Sequence, residues 1–194
     1  MVPESADART SAAEPRLDDL AFLTPHEGAT IQALMGRIVP DDDLGPGAIE
    51  AGAVYYLDRA LAGHLQLEQG RYRAAIRALD AWAVARFGVD LLGSSGEQQN
   101  ALLDDLANDR GPAGQGRGDG RLGVEFFELA RAHTLEGMFS DPVHGGNRDL
   151  AGWKLLGYPG AQPSYSHAEQ QLDAPIVRDR IFTASDYPLP DPVR

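Results

Sequence analysis

Apolar residues in this chain recur three and four positions apart in five separate stretches, and nowhere alternate one by one over a useful length. A helix brings residues with a period of about 3.6 onto one face, whereas a strand turns its side chains to opposite faces at every step, so this pattern confines the buried surface to helices. The first stretch, "TPHEGATIQALMGRIVP", has Thr24 and Glu27 at capping-box spacing, Pro25 at the first helical position, and Ile31, Leu34, Met35 and Ile38 on one face. Pro40 ends it. The second carries Val54, Leu57 and Leu61 beside small Ala and Gly positions, which predicts close packing. "RYRAAIRALDAWAVARF" is the strongest helix, with Tyr72, Ile76, Leu79, Ala83 and Phe87 on one face, arginines on the other and Trp82 expected in the core. In "SSGEQQNALLDDLAND" the spacing of Ser94 and Glu97 predicts a second capping box ahead of Leu102, Leu103 and Leu106. The fifth, "GVEFFELARAHTLEGMF", repeats Phe126, Phe127, Ala130, Thr134 and Met138.

These segments predict an all-α, single irregular helical domain of about five main helices over residues 21–160. Residues 1–20, rich in Ala, Ser, Pro, Glu and Asp, read as a flexible arm, with order starting near Phe22. The alternating glycines of "DRGPAGQGRGDGRLG" predict a mobile loop over 111–123. A dinucleotide fingerprint would need a strand before it, and Arg117-Gly118-Asp119 is a chance tripeptide within it. Pro163, Pro175, Pro188, Pro190 and Pro192 interrupt residues 161–194, which read as an extended tail with one short helical turn.

Composition excludes several functions. With 17 Lys+Arg against 29 Asp+Glu the net charge is −12, which repels a phosphate backbone, so no nucleic acid is expected as a partner. Lys154 is the single lysine, hence the one candidate for Schiff-base chemistry. The absence of cysteine removes disulfides, thiolate zinc sites, iron–sulfur clusters and Cys-linked haem. No apolar run approaches the roughly 18 to 20 residues of a membrane span, so direct membrane insertion is not expected. The first residues have neither a basic start nor an apolar core of an export signal. The expected location is cytoplasmic as written, with the periplasm as the alternative if a partner supplies the signal or a leader was removed. Asp41, Asp42 and Asp43 form an acidic turn, because a calcium loop of EF-hand type would need an acid where Gly52 stands.

The densest cluster of turn-forming residues is "FSDPVHGGNRDLAGWKLLGYPG", Phe139 to Gly160. Asp141-Pro142 signals a turn, Gly145-Gly146 allows backbone angles closed to other residues, and Asn147 is placed to cap a short helix. That helix has room for about two turns. Gly157 is positioned as a left-handed cap, and Tyr158-Pro159 turns the chain away. The expected product is a rigid loop displaying Trp153, Tyr158 and His144. A metal-dependent enzyme reading would use His133 and His144 with Glu136 and Asp141, although their spacing fits no zinc or iron signature. No Gly-x-Ser-x-Gly elbow or other nucleophile setting is present.

The run "FFELARAHTLEGMFSDPVHGGNRDLAGWKLLGYPG" resembles the gluconate 2-dehydrogenase subunit 3 family, and the likeness extends back through "FLTPHEGATIQALMGRIVPDD", covering about residues 22–160. The specific combination is Asp141-Pro142, Gly145-Gly146-Asn147, Gly152-Trp153 and Gly157-Tyr158-Pro159-Gly160. The resemblance implies a non-catalytic small subunit without a cofactor of its own. It would accompany a large FAD-bearing subunit of glucose-methanol-choline type, often with a cytochrome subunit, and help it mature or travel. A transient chaperone of that flavin subunit is the related alternative. His144 departs from the tyrosine more usual before the two glycines, and the twin-arginine leader of many relatives is not seen. On this reading Asp141, Pro142, His144, Gly145, Gly146, Asn147, Trp153, Tyr158 and Pro159 are candidates for the partner interface, since rigid aromatic anchors give contact area at low entropy cost.

Overall fold

The structure, a computed structural model, describes residues 16–108, 110, 123–171, 173 and 180–187. The expected mobile loop over 111–123 lies outside the described residues except for Gly123, which opens a helix. The described chain is all-α: α1 Pro25–Ile38, α2 Ala53–Ala62, α3 Gln69–Phe87, α4 Gly96–Ala107, α5 Gly123–Phe139 and the short α6 Ala151–Leu156. Among the described residues β pairing is limited to two isolated bridges.

Helix starts follow local chemistry. Thr24 accepts from the Glu27 amide, and the Glu27 carboxylate accepts from the Thr24 amide, closing the expected box at α1. At α4 the box sits one residue later than expected. Ser95 and Gln98 form it, because the Ser94 hydroxyl is occupied in donating to the Asp90 carbonyl at 2.8 Å.

α5 packs against α2, α4 and α1. At the α2–α5 crossing a Cβ on Gly137 would stand 2.8 Å from the Ala53 carbonyl oxygen, so the two backbones meet with no side chain between them. The core they enclose contains Ile31, Leu34, Met35, Leu57, Leu61, Tyr72, Ile76, Leu79 and Phe126. The apolar positions read from the periodicity face inward, with Ile38, Phe87 and Phe127 half-buried at the margin and Trp82, expected in the core, half-buried there too.

The N-terminal boundary differs from the expected one. Leu17–Asp19 forms a 3-10 helix, and Leu17 and Leu20 pack on the core ahead of Phe22. The cause is tertiary: the buried carboxylate of Asp58 on α2 accepts from the amides of Ala21, Phe22 and Leu23 at 2.6, 2.9 and 2.9 Å, which draws this segment in. The C-terminal segment also returns. Ala161 donates to the Phe182 carbonyl at 2.8 Å, and Ala184–Asp186 forms a 3-10 turn beside the Asp141 loop. The expected extended tail is therefore, over its residues 180–187, a packed strap.

Candidate functional site

The segment after α5 is determined by its own backbone. Asp141 caps a 3-10 turn over Pro142–His144 by accepting from the Val143 amide at 3.0 Å, and its other carboxylate oxygen accepts from Ala184 at 2.7 Å. Gly146 then passes directly over α5, where a Cβ would collide with the Gly137 carbonyl oxygen. That carbonyl accepts from the Asn147 amide at 2.8 Å, and the Ala51 carbonyl just before α2 accepts from Arg148 at 2.9 Å. Three chain segments thus meet backbone to backbone at Gly137. Only glycine can occupy position 146 there.

Asn147 is fully buried and joins both ends of the loop. Its side-chain amide donates to the Ser140 carbonyl at 2.9 Å, and its oxygen accepts from Gly152 at 2.9 Å. It makes no cap bond to the 3-10 helix Arg148–Leu150; its oxygen instead satisfies the Gly152 amide in the first turn of the following helix, Ala151–Leu156, so the expected capping falls on that helix. Asn147, Asp149 and Leu150 all take positive φ, of 47°, 53° and 60°. Such left-handed angles cost about 1–3 kcal/mol each outside glycine and persist where surrounding contacts impose them.

α6 follows, and Gly157 ends it in the left-handed region at φ 64°. Trp153 is 5% exposed, which corrects the expectation that the loop displays it. Its indole Nε1 donates to the Phe139 carbonyl at 2.7 Å, while the Tyr158 ring meets it edge-on at 4.9 Å between centroids. Burial of the indole satisfies the last turn of α5, and this tertiary partner is invisible in the order of residues. Tyr158 and His144 are exposed; Asp141, Pro142, Gly145 and Pro159 are half-buried; Gly146 joins Asn147 and Trp153 inside. The nine sequence candidates therefore form one folded unit, but only part of it faces outward.

Beside the exposed His144, Asp149 and Lys154, apolar side chains also face outward. Leu44 is 82% exposed and Leu156 64%, and with them Val143, Leu155 and Tyr158 stand in solvent. Leu155 reaches within 2.9 Å of where a Cβ on Gly45 would be, which brings the Leu44 turn beside α6. Sequence reasoning missed Leu44, Leu155 and Leu156. The "KLL" at the end of a two-turn helix was the available signal, since so short a helix cannot bury every side.

The histidines are not brought into one ligand set. His133 is buried on α5, where its Nδ1 shares a hydrogen bond of 2.8 Å with the Tyr72 hydroxyl, and desolvation holds its pKa below the usual imidazole range. His144 lies outside. Glu136 accepts from Tyr56 at 2.8 Å, and burial with that bond pushes the Tyr56 hydroxyl up to about 12. Among the described residues no group of three or more His, Cys, Asp or Glu is placed to hold a metal ion. Among them also, no helix is long and apolar enough to cross a membrane.

Neither the curated proteins nor the solved structures give a significant match. The protein-family model described as gluconate 2-dehydrogenase subunit 3 matches residues 25–160, from the first residue of α1 to the glycine that closes the folded loop. This span contains all six α-helices and the Gly137–Gly146 crossing, and the chain belongs to the gluconate 2-dehydrogenase subunit 3 family.

Proposed function

We propose that this chain is the non-catalytic small subunit of an FAD-dependent dehydrogenase acting on a sugar or alcohol. In this role it binds the large flavin-bearing subunit, of glucose-methanol-choline type, stabilises it and assists its maturation. FAD belongs to that partner, and a cytochrome c subunit completes the assembly where electrons pass onward. The chain acts in the cytoplasm, or in the periplasm when the partner supplies the signal or a leader has been removed.

One observation supports the reading beyond family membership. Leu155 and Leu156 stand exposed on a segment whose own backbone is over-determined by glycine contacts and by Asn147, and the turn that carries exposed Leu44 lies beside Leu155. A rigid support bearing exposed apolar side chains suits docking, because little ordering entropy is lost on association. Trp153 acts behind that surface as its support.

The test is co-expression of the chain with its flavin subunit, followed by affinity capture. Leu155→Asp with Leu156→Asp is expected to leave the isolated chain folded while reducing recovery of the yellow partner at least ten-fold. Unchanged recovery would sink this docking surface. Binding to unassembled flavin subunit, with the chain missing from the active complex, would make it a transient chaperone instead.

A further inference from the structure

A cleft of ≈220 Å³ opens between α2 and the Pro142–Gly146 turn, lined by Tyr56, Arg59, Ala60, His64, Val143 and His144. In a chain of net charge −12 it gathers an arginine and two histidines. We propose that this cleft is a binding site for a carboxylate, gripped by the Arg59 guanidinium and flanked in the same wall by the imidazoles of His64 and His144.

Arg59 is free to act. Arg71, Arg86 and Arg131 each hold a carboxylate, whereas Arg59 has no ion pair among the described residues. Glu136 is the acid bonded to the cleft's tyrosine, and it accepts from the Tyr56 hydroxyl instead of from Arg59. The guanidinium is also placed. Gly145 adopts φ 105°, and a Cβ there would stand 2.8 Å from Arg59 Cδ and 3.0 Å from its Nε, so the arginine rests on bare backbone that any side chain would fill. A planar fork held in this way presents paired donors that match a carboxylate. The histidines add donors and positive charge when protonated. The Glu136 carboxylate held by the cleft's Tyr56 opposes an incoming anion.

This site does not depend on the docking reading, and the full isolated chain tests it. Acetate is titrated while the Arg59 Nε–H and Gly145 amide signals are followed by NMR, beside Arg59→Gln and a control, Arg37→Gln, at another arginine without an ion pair among the described residues. Arg59→Gln changes an exposed side chain, and an unchanged amide spectrum away from the cleft verifies its fold. The expected result is a saturable shift that Arg59→Gln weakens about ten-fold or more and Arg37→Gln leaves intact. His144→Gln should weaken it by a smaller factor. A shift linear in acetate, or equal in parent and Arg59→Gln, overturns the proposal. A second titration with N-acetylglutamate amide separates two sources of the same chemistry: tighter binding than acetate assigns the carboxylate to an acidic side chain on a protein partner, and equal or weaker binding assigns it to a free small acid.

Discussion

The indole nitrogen of Trp153 donates to the carbonyl of Phe139 at 2.7 Å, so the side chain of α6 completes the hydrogen bonding of the last turn of α5. Removing that donor orphans a carbonyl at a partly buried position. Trp153→Phe is therefore expected to cost about 1–3 kcal/mol of stability. Trp153→Ala, which also opens a cavity, should cost about 3–5 kcal/mol. Urea unfolding of the isolated chain measures both. No loss of stability in either variant would show that the indole serves a partner and not this fold.

Two glycines make opposite predictions. Gly146→Ala places a Cβ against the Gly137 carbonyl and must force the loop off α5. It should lower stability by about 2 kcal/mol or more, on the scale of overpacking. Gly70, within α3, has nothing within 4 Å of its added Cβ. Gly70→Ala should stabilise by about 0.5–1 kcal/mol through helix propensity alone. Thermal melts of the pair give both signs in one experiment.

The buried carboxylate of Asp58 accepts from three successive backbone amides. In Asp58→Asn the charge is lost and one acceptor becomes a donor facing an N–H. A loss of about 3 kcal/mol follows, since charged hydrogen bonds contribute about 1.5–3 kcal/mol each. Hydrogen exchange should quicken first at Ala21, Phe22 and Leu23. Exchange unchanged at those amides would refute this clasp.

Two histidines carry opposite pH signatures. Desolvation lowers the folded pKa of His133, so below about 6.5 the unfolded chain binds more protons, and stability falls as pH drops through that window. His26 is raised, chiefly by its hydrogen bond to Asp80, so its contribution is present below about 6.5 and is lost as pH rises through the raised folded value. The His26 side chain is 49% exposed, and solvent screens its part. The His26→Gln variant should lose stability more steeply than the parent between pH 7 and 5. NMR titration should find His133 still neutral where His26 is already charged. The reverse order would contradict both assignments.

Helix positions were legible because they rest on local relations. Thr24, Glu27 and Pro25 specify the start of α1 within four residues, and the spacing of Tyr72, Ile76, Leu79 and Ala83 marks one face of α3 whatever lies opposite. The cap of α4 was legible only to within one residue, since Ser94 and Ser95 are equally able to cap and Asp90 decides between them. The loop at 139–160 was recognisable from Asp141-Pro142, Gly145-Gly146 and Gly157, whose turn chemistry is local. Which of its side chains point outward was not.

By itself the sequence determined an all-α chain, the faces of its long helices, the sharp turns after α5 and the family to which these belong. Each follows from relations among residues a few positions apart. The tertiary structure decided that Trp153 is buried and Leu156 is not, that Asn147 ties Ser140 to Gly152, that Asp58 gathers the segment around Ala21, and that Arg59 rests on Gly145. These contacts join residues more than one helical turn apart in the chain, as does the meeting of α2 and α5 with no side chain between Gly137 and Ala53. How the helices pack on one another sets them, and that packing is not written in the local order of residues.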